Sequence, residues 1–244
     1  MGRGRKSPRR KRLGNKSYPL LTDAEIEDAA NGLYLDYHRA SETVPLANNL
    51  PVLVEDIAEH FLGYEIDFSE TGIFADPEVL GGIDFEQKKI YVNTSVADHE
   101  GRYSFTVAHE IGHHVLHRDR YLQNAADSEN DILCRDTGKK PRIEVEADRF
   151  AAALLMPAEI LRDIVGRRTR HIRTVGQARA LANDLINECG FDNVSNSAMI
   201  NRMRDLRLLG KKISYQGFFK EHYRRQKKWG IPFISPSRSQ NWHV

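Results

Sequence analysis

The sequence is poor in cysteine and has no long hydrophobic run. Its 244 residues include only Cys134 and Cys189, and neither belongs to a CxxC pair. This excludes a disulfide framework and a cysteine-rich zinc module, and it favours a reducing compartment. No apolar run reaches the roughly 18 residues of a membrane-spanning helix, and no apolar stretch follows the basic N-terminus as in a secretory signal. We therefore expect a cytoplasmic protein without a membrane segment.

Acidic residues are nearly absent from the two ends of the chain. Residues 1–16 hold eight Lys/Arg and no acid, and residues 202–244 hold eleven Lys/Arg against two acids. The body between them holds 17 basic and 32 acidic residues. Basic ends on an acidic body predict contact with a polyanion or an acidic protein surface. The alternative is that the ends are disordered tails that only aid solubility.

The first part of the chain predicts two helices and a small sheet. Thr22 and Glu25 form a capping-box pattern that opens a helix to about Arg39. Pro51 is expected to start a second helix, which Gly63 ends. Three short strand patterns follow, and the last two are expected to form a hairpin. These strands are predicted over residues 64–68, 82–85 and 89–92.

Helical periodicity dominates the rest of the chain, so the predicted fold class is α+β and mainly helical. The polar stretch 118–142 is expected to be a loop. We divide the chain into a disordered basic arm over 1–17, a core domain over 18–170, a helical unit over 171–210 and a basic, aromatic tail over 211–244. The helices are predicted over residues 101–117, 143–155, 174–189 and 195–208.

The first candidate metal ligands and catalytic residue lie in the segment HEIGH at 109–113. Residues four apart on a helix lie on one side of it, so His109 and His113 can bind the same metal ion. Glu110 lies beside His109 and can act as a general base without binding the ion. This pattern is typical of zinc peptidases, in which it serves metal-assisted hydrolysis of an amide bond. The sequence therefore predicts a Zn²⁺ site with Glu110 as the catalytic base.

A catalytic zinc site needs a third protein ligand. The extended HExxHxxGxxH motif fails here, because Leu116 and Asp119 stand where it has Gly and His. Asp119 is one alternative. The better candidate is Glu144, on the helix predicted over 143–155. Asp148 shares its face and is expected to accept a hydrogen bond from a ligand histidine.

Two neighbouring residues are not expected to bind the metal. Glu146 points about 200° away from Glu144 around the helix axis, which predicts a charge that faces solvent. His117 lies one turn past His113, and we expect it to be buried or to support the site.

Three segments together resemble the ImmA/IrrE family of metallopeptidases. They are KIYVN at 89–93, FTVAHEIGHHVLH at 105–117 and EVEADRFAAALLMP at 144–157. The resemblance implies a zincin-like core with zinc held by His109, His113 and Glu144. Asp148 stands where many members have Asn, which keeps its supporting role.

The resemblance also implies a partner. Members of the family cleave a partner transcriptional repressor at one site and thereby derepress stress, phage or mobile-element genes. The peptidase core is followed by a small helix-turn-helix-like unit, which residues 181–208 resemble, and this leaves DNA contact open. We expect the substrate strand to pair with the sheet edge near Lys89–Val92. The alternatives are a DNA-binding regulator, or a scaffold that displaces a repressor without cutting it, each with a vestigial metal site.

Overall fold

The structure is a computed structural model and describes residues 20–43, 49–69, 79–125, 142–168, 172–210 and 213. The predicted basic arm, nearly all of the tail, and residues 126–141 with Cys134 lie outside these residues. The described part is mainly helical with one small sheet, which confirms the α+β prediction. Its helices are α1 (Asp23–Ala40), α2 (Val54–Asp56), α3 (Glu100–Ala125), α4 (Arg142–Leu155), α5 (Ala158–Arg168), α6 (Val175–Glu188) and α7 (Asn196–Asp205). Its strands are β1 (Glu65–Ser69), β2 (Gly81–Asp84) and β3 (Lys89–Asn93).

The first two helices begin differently from one another. The capping box is confirmed in α1, where the Thr22 hydroxyl accepts from the Glu25 backbone N–H and the Glu25 carboxylate accepts from the Thr22 N–H. The second helix does not start at Pro51, because α2 begins at Val54 and continues as a π-helical turn over Ile57–Phe61. Its predicted end is confirmed, since Gly63 follows it with a φ of +72°.

The sheet has the order β1-β3-β2, with β1 parallel and β2 antiparallel to the central strand β3. The predicted hairpin of β2 and β3 is confirmed. The expectation that a substrate strand pairs along Lys89–Val92 is wrong, because both sides of β3 already bond to other strands. Within the described ranges, the strands with an unpaired side are β1 and β2.

Helix α3 is 26 residues long, so the prediction that it ends at His117 is wrong. Residues 118–125 are helical and do not belong to a loop. They contain neither Gly nor Pro, and nothing in their composition stops a helix. Val115, an apolar residue of this helix, is 36% exposed.

Helix α5 was not predicted. Pro157 ends α4 as expected, but a new helix begins directly after it at Ala158. Its buried residues, Ala158, Leu161 and Val165, do follow helical spacing. The signal is weak because α5 has only eleven residues and the rest of it is mostly polar or charged.

The core lies where α4 packs against α1 on one side and α3 on the other. Phe150, Ile111 and Ile26 are fully buried there. Helix α7 joins this body through Arg202, whose guanidinium donates to the Glu27 carboxylate on α1 and to the Met156 carbonyl. The predicted helices over 174–189 and 195–208 are confirmed as α6 and α7, although α7 ends at Asp205.

Candidate metal centre

The candidate metal centre depends on a close approach of α3 and α4 at Gly112. A Cβ atom on this glycine would lie 3.1 Å from Cδ1 of Phe150 and 3.2 Å from the carbonyl oxygen of Ala147. Such distances leave almost no room for a side chain, so glycine lets the two helices pack tightly. The HEIGH segment of α3 therefore lies directly against the first turns of α4.

His109, His113 and Glu144 converge at this contact. The Nε2 atoms of the two histidines are 3.0 Å apart. Nε2 of His109 lies 3.3 Å from one Glu144 oxygen, and Nε2 of His113 lies 3.4 Å from the other. Zinc–ligand bonds of 2.0–2.2 Å at tetrahedral angles place two ligand atoms about 3.4 Å apart. The three groups are thus spaced as a zinc ion requires, and together they form a candidate metal cluster.

The charges of the cluster also suit a cation. Burial opposes protonation of His109, but hydrogen bonds to Asp148 and Glu144 outweigh it and raise the pKa of His109 to about 10. Burial raises the pKa of Glu144, but its hydrogen bonds to His109 and His113 outweigh burial and hold the pKa of this carboxyl well below its usual range. Both shifts favour a positive charge beside the Glu144 carboxylate, which is the charge that a metal ion would supply.

Asp148 contacts the outer nitrogen of His109. Its Oδ1 atom is 3.0 Å from Nδ1 of His109, on the side of the ring that faces away from Glu144. Such a carboxylate keeps the proton on Nδ1 and leaves Nε2 free to bind a metal ion. Asp148 is 7% exposed, so water does not compete strongly for this bond.

Glu110 is buried between α3 and β2. A Cβ atom on Gly81 of β2 would lie 2.9 Å from Oε1 of Glu110 and 2.5 Å from Cγ2 of Thr106. The glycine thus leaves space for the carboxylate. Burial raises the pKa of Glu110 above its ordinary value, which the neighbouring histidines partly oppose. A raised pKa brings a carboxylate towards the range that suits a general base near neutral pH.

The prediction for Glu146 is wrong. This residue is 4% exposed, and its carboxylate oxygens lie 3.2 Å from Nε2 of His117 and 3.3 Å from the backbone nitrogen of Leu21. Glu146 does lie on the side of α4 opposite Glu144. That side is also buried, because α1 and the C-terminal half of α3 cover it. His117 is buried as expected, at 1% exposure.

Two other polar residues of α3, one of them the alternative ligand Asp119, take no part in the cluster. Asp119 lies on an exposed turn of α3 and is not among the three converging residues. His114 points elsewhere, because its Nδ1 atom is 2.7 Å from the hydroxyl of Tyr64. Burial lowers the pKa of His114 to about 4, and the cations of Lys88 and Arg118 add to this shift.

A family model described as the IrrE N-terminal-like domain, Peptidase_M78, matches residues 70–184. This stretch of the chain belongs to the ImmA/IrrE family. The matched stretch contains the HEIGH segment, β2, α4 and Asp148, and so the whole cluster described above. Membership makes the chain a metallopeptidase of the IrrE type, and it implies a metal and a protein substrate. No curated protein matches the chain significantly. None of the described helices has the length and apolar character that crossing a membrane requires.

Proposed function

We propose that this member is a zinc-dependent endopeptidase that cleaves a partner transcriptional repressor at one site. The observation that carries the proposal is the convergence of His109, His113 and Glu144 within 3.0–3.4 Å, with the buried Glu110 carboxylate next to them. A purely structural zinc site needs four protein ligands and no base. Three ligands with an adjacent base are instead the pattern of a hydrolytic centre.

In this proposal His109, His113 and Glu144 hold the zinc ion. When bound, the ion supplies Lewis-acid chemistry, since it polarises a carbonyl and lowers the pKa of water. Glu110 takes the proton of the attacking water and delivers it to the leaving nitrogen, so that a C–O bond forms as the amide C–N bond breaks. Asp148 keeps the His109 proton on Nδ1 throughout.

The substrate is proposed to lie along β2. This strand has one side paired with β3, and Gly81 brings its backbone next to the Glu110 carboxylate. An extended peptide that pairs with the other side of β2 satisfies its own backbone hydrogen bonds. Its scissile bond then passes close to Glu110. The arrangement of α3, α4 and this sheet supports the zincin-like core proposed for residues 18–170.

Residues 171–210 are proposed to be a helix-turn-helix-like unit that packs on the core. A DNA-reading unit would present the start of its second helix to the base edges. Here the start of α7 meets α3, because a Cβ atom on Gly101 would lie 2.9 Å from the backbone nitrogen of Ser195. Arg202 is buried against Glu27. These contacts favour packing or partner docking over DNA recognition.

The test is to produce the chain together with the helix-turn-helix repressor encoded nearest to it. Wild type should yield two discrete repressor fragments, whereas Glu110→Gln should yield none while it keeps zinc. Glu100→Gln, the same change at an exposed position of α3, is the matched control and should cleave normally. Repressor that stays intact but leaves its operator equally with wild type and Glu110→Gln would reject proteolysis in favour of the non-cleaving scaffold.

A further inference from the structure

We propose that His117 and Glu146 are positioning residues for His113, in a hydrogen-bonded chain that keeps its Nε2 atom free for the metal. The inference rests on the metal site of the proposed function. It assigns roles to two buried polar residues that the proposed reaction does not use. Both lie in the interior, at 1% and 4% exposure. Burial of a carboxylate is costly unless its oxygens are hydrogen-bonded, so their partners are informative.

The hydrogen-bonded chain of side chains begins at Nδ1 of His113, the ring nitrogen that does not face Glu144. Nε2 of His113 faces Glu144, while Nδ1 lies 3.1 Å from Nδ1 of His117. Nε2 of His117 in turn lies 3.2 Å from Oε2 of Glu146. The spacing follows from α3 itself, because residues 113 and 117 are one helical turn apart and their rings can meet edge to edge.

The hydrogen bonds assign the protons along this chain. The other oxygen of Glu146 accepts from the backbone N–H of Leu21, and the Arg142 guanidinium lies 3.7 Å from it. A carboxylate only accepts, and His117 must therefore carry its proton on Nε2. Nδ1 of a neutral His117 is then an acceptor, which requires His113 to donate from its own Nδ1. Nε2 of His113 is thereby left with the lone pair that a metal ion needs.

The two ligand histidines are therefore supported in a similar way, each by a carboxylate of α4. On His109 the outer nitrogen meets the carboxylate of Asp148 directly, at 3.0 Å. On His113 the outer nitrogen reaches the carboxylate of Glu146 through His117. Both carboxylates come from α4, the helix that also carries Glu144. Each ligand histidine therefore has its tautomer and ring orientation set from the same helix, and such partners tune the affinity of a metal site.

The experiment measures zinc affinity of the folded, metal-free protein by competition with a chromophoric chelator, and absorption of the Co²⁺-loaded form. His117→Leu removes the acceptor for His113 and should weaken zinc binding about 10–100-fold and alter the Co²⁺ spectrum. His117→Asn can present its side-chain oxygen near the position of Nδ1, and it should recover most of the affinity. Glu146→Gln, which removes the charge, should give an intermediate loss.

The matched control is His114→Leu, the same substitution on the adjacent residue of α3. Its ring bonds to Tyr64 and not to the cluster, so zinc affinity and the Co²⁺ spectrum should stay those of the wild type. If His117→Leu does not fold, Glu146→Gln decides the question.

Wild-type zinc affinity in the His117→Leu and Glu146→Gln variants overturns the proposal. Equal losses in His117→Leu and His117→Asn, with an unchanged Co²⁺ spectrum, also overturn it, since they show a packing role only. A wild-type chain that binds zinc but does not cleave leaves this inference intact and rejects the proposed function. A wild-type chain that binds no zinc rejects both.

Discussion

The helix pairs α3–α4 and α6–α7 differ in the kind of residue that they bury. Between α3 and α4 the buried residues include charged and polar groups, among them Glu110, His113, His117, Glu146 and Asp148. The pair α6–α7 buries mainly alanine, leucine, isoleucine and methionine, with Arg202 as its buried charge. Buried ionisable groups are costly and collect where chemistry requires them. We therefore expect changes in the first pair to affect metal and catalysis, and changes in the second to affect stability.

The largest expected effect is on catalysis, in the α3–α4 pair. Glu110→Gln should reduce the rate of repressor cleavage about 10²–10⁴-fold, because general-base catalysis is lost. Zinc content and melting temperature should stay close to those of the wild type, since the side chain keeps its size. The rate is measured by gel densitometry and zinc by atomic emission. Undiminished cleavage would show that the buried carboxylate next to Gly81 is not the base.

The second effect tests the α6–α7 pair. Arg202→Met removes the partner of Glu27 and the donor to the Met156 carbonyl. Breaking a buried ion pair costs about 3–5 kcal/mol, and we expect about 3 kcal/mol because Glu27 keeps some contact with solvent. Urea denaturation measures this loss. Zinc affinity and cleavage at 20 °C should persist in the folded fraction, and their selective loss would mean that the two helix pairs are functionally coupled.

Removal of the metal should affect stability less than loss of the Arg202 ion pair. A ligand present at a hundred times its Kd stabilises the folded state by about 2.7 kcal/mol. Dialysis against a chelator should thus lower the melting temperature by several degrees, and zinc should restore it. In Glu144→Ala the chelator should have no such effect, because the site is incomplete. An unchanged melting temperature in the wild type would contradict metal binding at this cluster.

A smaller effect is expected at Gly81, where β2 faces the base. The methyl group of Gly81→Ala would press on Thr106 and Glu110, at a cost of about 1–2 kcal/mol. Cleavage should fall while zinc affinity is kept, because all three ligands belong to α3 and α4. Gly32→Ala on α1 is the control, since a Cβ atom there meets nothing within 4 Å. This change should stabilise the protein slightly.

The smallest effect concerns Cys189 at the end of α6. Burial raises the pKa of this thiol above its ordinary value, a shift that Arg168 partly opposes. The protonated thiol is the unreactive form. In a Cys134→Ser background, Cys189 should react with a disulfide reagent more slowly than free cysteine at pH 8, and the rate should rise as the pH increases further. A reaction faster than that of free cysteine would reveal an activated thiol in a region that we assign to packing.

Much of the metal cluster follows from sequence because it depends on local geometry. The spacing of His109 and His113, the position of Glu110 beside them, and the shared face of Glu144 and Asp148 are properties of a helix whatever surrounds it. The capping box at Thr22 and the hairpin of β2 and β3 are equally local. These predictions needed only the helical and strand periods and the chemistry of each side chain.

Tertiary packing decided the rest. The rotation of Glu146 away from Glu144 is visible in the sequence, but only the packing of α1 and of the far part of α3 makes that side an interior. The place of β3 in the centre of the sheet depends on β1, which pairs across 24 positions of the chain. The approach of α3 to α4 at Gly112 brings together ligands that are 31 residues apart in sequence, from His113 to Glu144. A periodic pattern shows which way a side chain points along its own helix, whereas the neighbour it meets there is set by the burial of the whole chain.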